Sequence, residues 1–259
     1  MEAVIFDWSG TAVDYGCFAP VKAFAETFAA YGIHPTPEET RKPMGMRKKD
    51  HLRAMLAMPR IGESFERSVG HPCGEQDVCR LYGIFEKNLL KILSSYSEPL
   101  PFVPDTVREL RARGIKIGST TGYTDRMMEL VVPEAKRLGY SPDLWVTPDA
   151  AGDRGRPYPY MIFRNLERLR VTSVRKALKI GDTVSDLQEG RNAGVWTAGV
   201  VVGSSELGLS REEFEALPPD EAQSRTRRAA ETFWNAGADF VIRDMRGLIP
   251  LIEQIDAAP

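Results

Sequence analysis

Six short apolar segments, separated by helical patterns, constrain the fold of this 259-residue chain most strongly. Most are continuous apolar runs rather than alternating ones, as expected for strands that are covered on both faces. Alternation of strand and helix predicts a doubly wound, parallel α/β sheet of the Rossmann-like kind. The predicted strands are Glu2–Trp8, Ile115–Ser119, Leu144–Thr147, Ala177–Gly181, Thr197–Val202 and Phe240–Ile242.

One stretch between the first two strands breaks the alternation. Residues 16–97 show helical patterns and no convincing strand, and three prolines at 99, 101 and 104 then suit a stiff linker. We therefore expect a core domain of residues 1–15 and 98–259, with residues 16–97 forming a helical cap domain inserted after the first strand. The segment between residues 204 and 237 looks like a loop and helices without an assignable role.

Charge and cysteine content exclude several classes of protein. The net charge is −2, so there is no basic excess of the kind that a nucleic-acid-binding protein usually carries. No apolar run reaches the ~20 residues of a membrane helix, and the N-terminus has no signal-peptide pattern. Three cysteines without metal-ligand spacing suggest a reducing compartment, so we expect a cytoplasmic protein without nucleic-acid or membrane partners.

Polar residues follow three of the predicted strands. Asp7 ends the first strand, Thr121 and Gly122 follow the second, and Asp182 and Asp186 follow the fourth. Ligands of open α/β sheets bind beyond the carboxyl ends of strands, where carboxylates could attack phosphorus or bind Mg²⁺. Taken singly, each has an ordinary structural explanation: Asp7 could cap a turn, Thr-Gly is a common loop pair, and Asp186 suits a helix N-terminus.

Arg156 completes the set, in Gly-Arg-Pro-Tyr-Pro before a predicted helix. Alone it would be an ordinary surface arginine, although a cation there could hold a phosphate. The strand-end aspartate, the Thr-Gly pair, the arginine and the two later aspartates occur in an order that resembles the four-motif signature of the haloacid dehalogenase superfamily. The helical insert resembles the cap domain of that superfamily's first structural class. The resemblance implies that Asp7 is phosphorylated, that Thr121, Gly122 and Arg156 hold the phosphoryl oxygens, that Asp7 and Asp182 bind Mg²⁺, and that Asp186 supports them.

Ser9 departs from most phosphatases of that superfamily, which carry an aspartate two residues after the nucleophile. That aspartate protonates the leaving group and later activates water. A serine hydroxyl is not acidic enough for this task at neutral pH. The chain is therefore either not an ordinary phosphomonoesterase, or its leaving group needs no acid.

Lys48 offers an explanation for the absence of an acidic residue at position 9. On a helix predicted over Met44–Met58, one face carries Met44, Lys48, His51, Leu52 and Met55. Burial in an apolar stripe lowers the pKa of a lysine below its ordinary value of roughly 10.4, which gives a nucleophilic amine. Helix geometry alone would favour a lysine that reaches solvent along an apolar surface.

The amino-acid sequences of several segments, which together span essentially the whole chain, resemble those of the phosphonoacetaldehyde hydrolases. The matching segments lie at 7–20, 42–51, 118–123, 155–159, 181–186 and 203–209, the last without a role that we can derive. The family usually has alanine where this chain has Ser9, and threonine where it has Ala12. In that family a backbone carbonyl at the Ser9 position binds Mg²⁺, and serine preserves it.

The resemblance implies a hydrolase that cleaves the carbon–phosphorus bond of phosphonoacetaldehyde, with Lys48 forming a Schiff base and Asp7 acting as nucleophile. Met44, His51, Cys17 and Tyr123 would line or support the substrate pocket, and the protein would be a homodimer. Two alternatives are another hydrolase of the superfamily, such as a sugar-phosphate phosphatase or phosphomutase, and a catalytically idle binding protein that keeps the fold. Ser9 argues against the first, and intact Asp7, Arg156 and Asp182 argue against the second.

Overall fold

A computed structural model describes residues 1–257 and contains a six-stranded parallel sheet flanked by helices, which confirms the predicted fold class. The strand order is β3-β2-β1-β4-β5-β6, so the chain reverses direction across the sheet at β1. All six predicted strands are present, although several are shorter than predicted. They are β1 (Ala3–Phe6), β2 (Lys116–Thr120), β3 (Leu144–Val146), β4 (Ala177–Gly181), β5 (Trp196–Val200) and β6 (Phe240–Ile242).

The register of the central strands brings their carboxyl ends together. Phe6 of β1 is opposite Ser119 of β2 and Ile180 of β4. The residues that immediately follow these three strands therefore leave the sheet at the same edge. This edge is where a parallel α/β sheet binds its ligands.

Residues 1–257 also contain twelve α-helices. None of these helices is long and apolar enough to cross a membrane. They are α1 (Phe18–Ala29), α2 (Pro37–Arg41), α3 (Lys48–Leu56), α4 (Pro59–Val69), α5 (Glu75–Ile92), α6 (Val103–Ala112), α7 (Asp125–Arg137), α8 (Tyr160–Arg168), α9 (Val184–Ala193), α10 (Arg211–Glu215), α11 (Pro219–Asn235) and α12 (Leu248–Ala257).

The prediction of one helix over Met44–Met58 was wrong at both ends. Helix α3 begins at Lys48, because Gly45 has a φ of 86° and turns the chain before the helix starts. A Cβ at Gly45 would lie 2.3 Å from Oγ1 of Thr183, so this loop also passes very close to the core. Met44 therefore belongs to a turn and not to the face of α3.

The regular elements of the insert between β1 and β2 are all helices among its described residues, as predicted. Phe24 of α1 stacks on Phe85 of α5 with ring centroids 4.2 Å apart. One hydrophobic cluster nevertheless includes these residues and Phe6 of β1. The division into two domains therefore stays a prediction.

Two linker segments that join the insert to the sheet pair with each other. Val13 and Pro99 form an antiparallel bridge, and the amide of Leu100 donates to the carbonyl of Ala12 over 2.9 Å. The amide of Asp14 donates to the carbonyl of Glu98 over 3.2 Å. These bonds fix where the helical insert leaves and rejoins the core.

Candidate active site

Ten of the predicted site residues line one cavity where the helical insert faces the carboxyl edge of the sheet. Its volume is about 20 Å³, which is space for roughly a single water molecule. Gly45 and Thr183 also line it. The predicted residues among its walls are Asp7, Ser9, Cys17, Met44, Lys48, Thr121, Gly122, Tyr123, Arg156 and Asp182.

Arg156 lies at the floor of this cavity and binds several acidic groups. Its Nη2 donates to Oδ1 of Asp7 over 2.5 Å, and its Nε donates to Oε2 of Glu189 over 3.0 Å. Nη1 lies 3.1 Å from Oδ1 of Asp186. Because Arg156 is only 3% exposed, these charges interact away from water, where electrostatic attraction is strong.

Lys179 and Glu189 were missed by the sequence interpretation. Nζ of Lys179 is fully buried, lies 2.8 Å from Asp186 and donates to Oγ1 of Thr120 over 2.9 Å. The same hydroxyl of Thr120 donates to Glu189 over 2.9 Å. A lysine in the otherwise apolar strand Ala177–Gly181 was the available signal, because a buried lysine requires partners.

Asp182 is held by the main chain of a distant loop. The amide of Ser205 donates to its Oδ2 over 2.7 Å, and Oγ1 of Thr11 donates to its Oδ1 over 3.1 Å. Burial, together with the charges of Asp7 and Asp186, raises the pKa of Asp182 well above its ordinary value. Burial would raise the pKa of Asp186 as well, but the Arg156 and Lys179 cations hold it below its ordinary value.

The charges of this buried network suit a divalent cation. Oxygen atoms of Asp7, Asp182 and Asp186 lie within 4.8 Å of one another. The network contains four carboxylates and two cations, so two negative charges remain when every group is ionised. The carboxylates are those of Asp7, Asp182, Asp186 and Glu189, and the cations are Arg156 and Lys179. Hard oxygen ligands with this excess charge are what Mg²⁺ prefers.

Ser9, whose carbonyl is the third predicted ligand of Mg²⁺, lines the same cavity. Within residues 1–257 this carbonyl accepts no main-chain hydrogen bond, whereas the neighbouring carbonyl of Trp8 accepts three. The predicted ligands of Mg²⁺ therefore fit the residues present. Asp186 is not among the residues that line the cavity and contacts Arg156 instead, and its supporting role stays a prediction.

Lys48, the first residue of α3, is only 4% exposed, so it does not reach solvent. Its Nζ lies 5.0 Å from the centre of the Tyr123 ring, and no carboxylate lies within ion-pair distance among the described residues. Burial lowers the pKa of Lys48 below its ordinary value of 10.5, and the nearby charge of Arg156 acts in the same direction. Lys49 points elsewhere, with its Nζ 5.1 Å from the ring of Tyr82.

His51 was expected to line or support the substrate pocket, and it is not among the residues that line the cavity. It stacks on Phe24 with ring centroids 3.9 Å apart, and its Nε2 lies 2.9 Å from the carbonyl of Thr40. Burial, together with the charge of Lys48, lowers the pKa of His51 well below its ordinary value. A neutral imidazole that donates from Nε2 to Thr40 fits this environment and supports the helix that carries Lys48.

Ser9 belongs to a buried group around Asp14 that the sequence did not single out. Oγ of Ser9 donates to Oδ2 of Asp14 over 2.5 Å and lies 3.3 Å from Sγ of Cys17. The Asp14 carboxylate also accepts the amides of Phe18 and Ala19 at the start of α1. Burial raises the pKa of Asp14 to about 6. Asp14 therefore joins the loop after β1 to the first helix of the insert.

Comparison with known proteins shows the family of this chain. The sequence model of the haloacid dehalogenase-like hydrolases matches residues 1–194. Proteins named phosphonoacetaldehyde hydrolase from Lysinibacillus sphaericus (strain C3-41) and Bacillus cereus (strain AH187) are 51% and 50% identical to the chain over 256 residues. These alignments cover 99% of the chain and 95% and 97% of the two relatives.

The chain belongs to the haloacid dehalogenase-like hydrolases, in the family of the phosphonoacetaldehyde hydrolases.

Solved structures of haloacid dehalogenase-like proteins share this architecture. A phosphonoacetaldehyde hydrolase-like protein from Oleispira antarctica superimposes with a TM-score of 0.96 at 38% identity, over 98% of this chain and 92% of that protein. A β-phosphoglucomutase from Clostridium difficile has a TM-score of 0.63 at 16% identity, over 89% of this chain and 99% of that protein. The second likeness concerns the fold alone.

Proposed function

We propose that this enzyme hydrolyses phosphonoacetaldehyde to acetaldehyde and phosphate. The observation that carries the proposal is that Lys48 and Asp7 line the same cavity, one supplying an amine and the other a carboxylate. The full-length relatives named for this activity support the choice of substrate. The lowered pKa of Lys48 supports its role, because only an uncharged amine can attack an aldehyde.

The leaving group explains why an amine is required. Direct displacement at phosphorus would expel a bare carbanion. Condensation of Lys48 with the aldehyde releases water and gives an iminium, into which the electrons of the breaking bond can flow. Asp7 then attacks phosphorus, the carbon–phosphorus bond breaks, and those electrons form an enamine on Lys48.

The later steps return both residues to their starting state. Water hydrolyses the aspartyl phosphate at Asp7 and releases phosphate. The enamine takes up a proton at carbon, and a second water hydrolyses the resulting iminium to acetaldehyde and free Lys48. No acid of the phosphatase kind is needed at position 9, in agreement with Ser9 there.

Arg156, Thr121 and Gly122 would hold the phosphoryl oxygens during these steps. Asp7, Asp182 and the carbonyl of Ser9 would bind Mg²⁺, which when bound would neutralise the carboxylates and polarise the phosphoryl group. Arg156 already binds Asp7, Asp186 and Glu189, so its planar guanidinium is fixed in place before substrate arrives.

The cavity volume implies that the insert moves during turnover. Phosphonoacetaldehyde is several times larger than the single water molecule that the cavity can hold. The loop around Gly45 would therefore lift away from Thr183 to admit substrate and then exclude water during the reaction. Met44 and Tyr123 would close around the aldehyde.

A direct assay tests the proposed function. Phosphate and acetaldehyde should appear in equal amounts from phosphonoacetaldehyde, and p-nitrophenyl phosphate and sugar phosphates should be turned over far more slowly. Comparable turnover of these esters would instead favour a phosphatase. Release of neither product from any of these substrates would favour a binding protein.

We further propose that the enzyme is cytoplasmic and forms a homodimer through the helical insert. The cysteine content and the family resemblance support these two proposals. Light scattering coupled to size-exclusion chromatography tests the dimer, since a monomer at micromolar concentration would contradict it. Fractionation of cells that express the natural protein tests the compartment.

A further inference from the structure

The segment at residues 203–209, for which the sequence indicates no role, contacts the proposed metal ligand Asp182. Its Ser205 is 2% exposed and donates its amide to Oδ2 of Asp182 over 2.7 Å. The turn is fixed internally, because the amide of Gly208 donates to the carbonyl of Ser204 over 3.0 Å and the amide of Leu207 donates to Oγ of Ser204 over 3.0 Å. We call residues 203–209 the Ser205 loop.

Arg41, the last residue of α2, reaches this loop from the helical insert. Its Nη1 donates to the carbonyl of Gly16 over 2.6 Å and lies 3.3 Å from Oγ and 3.4 Å from the carbonyl oxygen of Ser205. Its guanidinium lies over the ring of Phe18, 5.0 Å from the centroid. Arg41 thus contacts the first residue of the insert and the Ser205 loop together.

Local structure presents Arg41 in this position. Helix α2 begins with a capping box, in which Thr36 Oγ1 accepts the amide of Glu39 and the Glu39 carboxylate accepts the amide of Thr36. The Ser205 loop makes room for the guanidinium at Gly208, where a Cβ would lie 3.1 Å from Nε of Arg41. The amide of Gly16 donates to the carbonyl of Gly203 over 2.7 Å, so the start of the insert is attached to the same loop.

We propose that Arg41 is a positioning residue that couples the seating of the helical insert to the metal ligand Asp182. When the insert is seated, Arg41 holds the Ser205 loop so that its amide supports one oxygen of Asp182. When the insert lifts, Arg41 leaves and Asp182 loses part of this support. This inference rests on the proposed function in one respect, namely that Asp182 binds Mg²⁺.

Coupling of this kind is reciprocal, because two linked equilibria must affect each other equally. If seating the insert improves Mg²⁺ binding, then Mg²⁺ must favour the seated insert. In the wild-type chain, Mg²⁺ should therefore slow amide hydrogen exchange at residues 37–41 as well as at residues 203–209. If Arg41 had only a structural role, its replacement would change the rate of amide exchange but not the effect of Mg²⁺ on that rate.

The test compares Arg41→Met with Arg67→Met in the full chain. Arg67 is exposed on α4 of the same insert, and within residues 1–257 its only ion pair is with Glu63, so it is a matched control. Isothermal titration calorimetry with Mg²⁺ alone should show affinity weakened on the order of 10-fold in Arg41→Met, as for other residues that support metal ligands. The control should bind Mg²⁺ as the wild type does, and Mg²⁺ should no longer slow exchange at residues 37–41 in Arg41→Met.

Arg41→Lys provides a second measurement should Arg41→Met fold poorly. It keeps a cation that can reach the Gly16 carbonyl but lacks the planar group that packs on Phe18, so it should give an intermediate loss of affinity. Unchanged Mg²⁺ affinity with an unchanged exchange response in a folded Arg41 variant would overturn the proposal. None of these measurements uses phosphonoacetaldehyde, so an enzyme that failed to cleave this substrate would contradict the proposed function and not the coupling.

Discussion

Arg156 and Asp7 form a buried ion pair in which Nη2 of the arginine lies 2.5 Å from Oδ1 of the aspartate. The same guanidinium also binds Glu189 and Asp186, so its orientation is fixed by three carboxylates. The cation is therefore already placed beside the carboxylate that we propose as nucleophile, on the side where phosphoryl charge would develop.

Arg156→Lys should reduce kcat/KM on phosphonoacetaldehyde by roughly 10²-fold or more, as loss of a fixed donor to transition-state charge does in other enzymes. The lysine keeps the charge but cannot bind three carboxylates in one plane. Arg154→Lys, an exposed neighbour in the same loop, should leave the kinetics unchanged. A fully active Arg156→Lys enzyme would show that one point charge at this position is enough to stabilise the transition state.

Asp7→Asn should abolish turnover, because an amide oxygen cannot form the aspartyl phosphate. Circular dichroism should show an intact fold, since the side chain keeps its shape. Asp105→Asn, which changes an exposed carboxylate on α6, should remain active. Phosphate release near the wild-type rate from purified Asp7→Asn would remove Asp7 as the nucleophile.

Lys48 should be trapped covalently. Borohydride added with acetaldehyde should reduce the imine and inactivate the enzyme permanently, and peptide mapping should find the ethyl group on Lys48 and not on Lys49. Lys48→Arg should lose essentially all carbon–phosphorus cleavage, because guanidinium is not deprotonated at usable pH, whereas Lys49→Arg should stay active. Appreciable activity of Lys48→Arg without a borohydride adduct would mean that Lys48 only binds phosphate.

The rate of this trapping should depend on pH with a midpoint below 10.5. Burial and Arg156 lower the pKa of Lys48, whereas Cys17, Asp7 and Asp14 oppose the shift. A lowered pKa means that the reactive uncharged amine appears at lower pH, so the rate should rise with pH and level off earlier than for an exposed lysine. Reductive ethylation of a lysine in a short unstructured peptide gives the reference curve, and a curve for Lys48 that coincides with it would contradict the prediction.

Mg²⁺ should raise the unfolding temperature of the wild-type enzyme. A ligand at 100-fold its Kd stabilises the folded state by about 2.7 kcal/mol, which corresponds to roughly 5–10 °C for a chain of this size. Asp182→Asn should lose this stabilisation, because it removes a charge that would face the cation. Chelation should stop catalysis and added Mg²⁺ should restore it; full activity in excess chelator would exclude the metal requirement.

The strands and the strand-end residues could be predicted because their signals are local. A buried parallel strand is a continuous apolar run, and Asp7, Thr121 and Asp182 each follow such a run directly. Proximity of these residues then follows from the parallel sheet. Their roles in catalysis stay predictions.

The supporting network could not be predicted in the same way, because its partners are far apart in the chain. Glu189 meets Arg156 and Lys179 only through the packing of α9 and the loop before α8 on the sheet. The contact of Ser205 with Asp182 uses a backbone amide, for which any residue except proline could serve. Met44 was misplaced because Gly45, read as part of a helix, adopts a left-handed conformation.

The size of the closed cavity has a consequence for the design of inhibitors. If the helical insert lifts as we propose, a compound would reach Asp7 and Lys48 in the lifted form, since the cavity described here holds about one water molecule. Two kinds of inhibitor should therefore exist and should be distinguishable. Compounds small enough to be enclosed should slow amide exchange at the Gly45 loop, whereas larger compounds that prop the insert open should accelerate it.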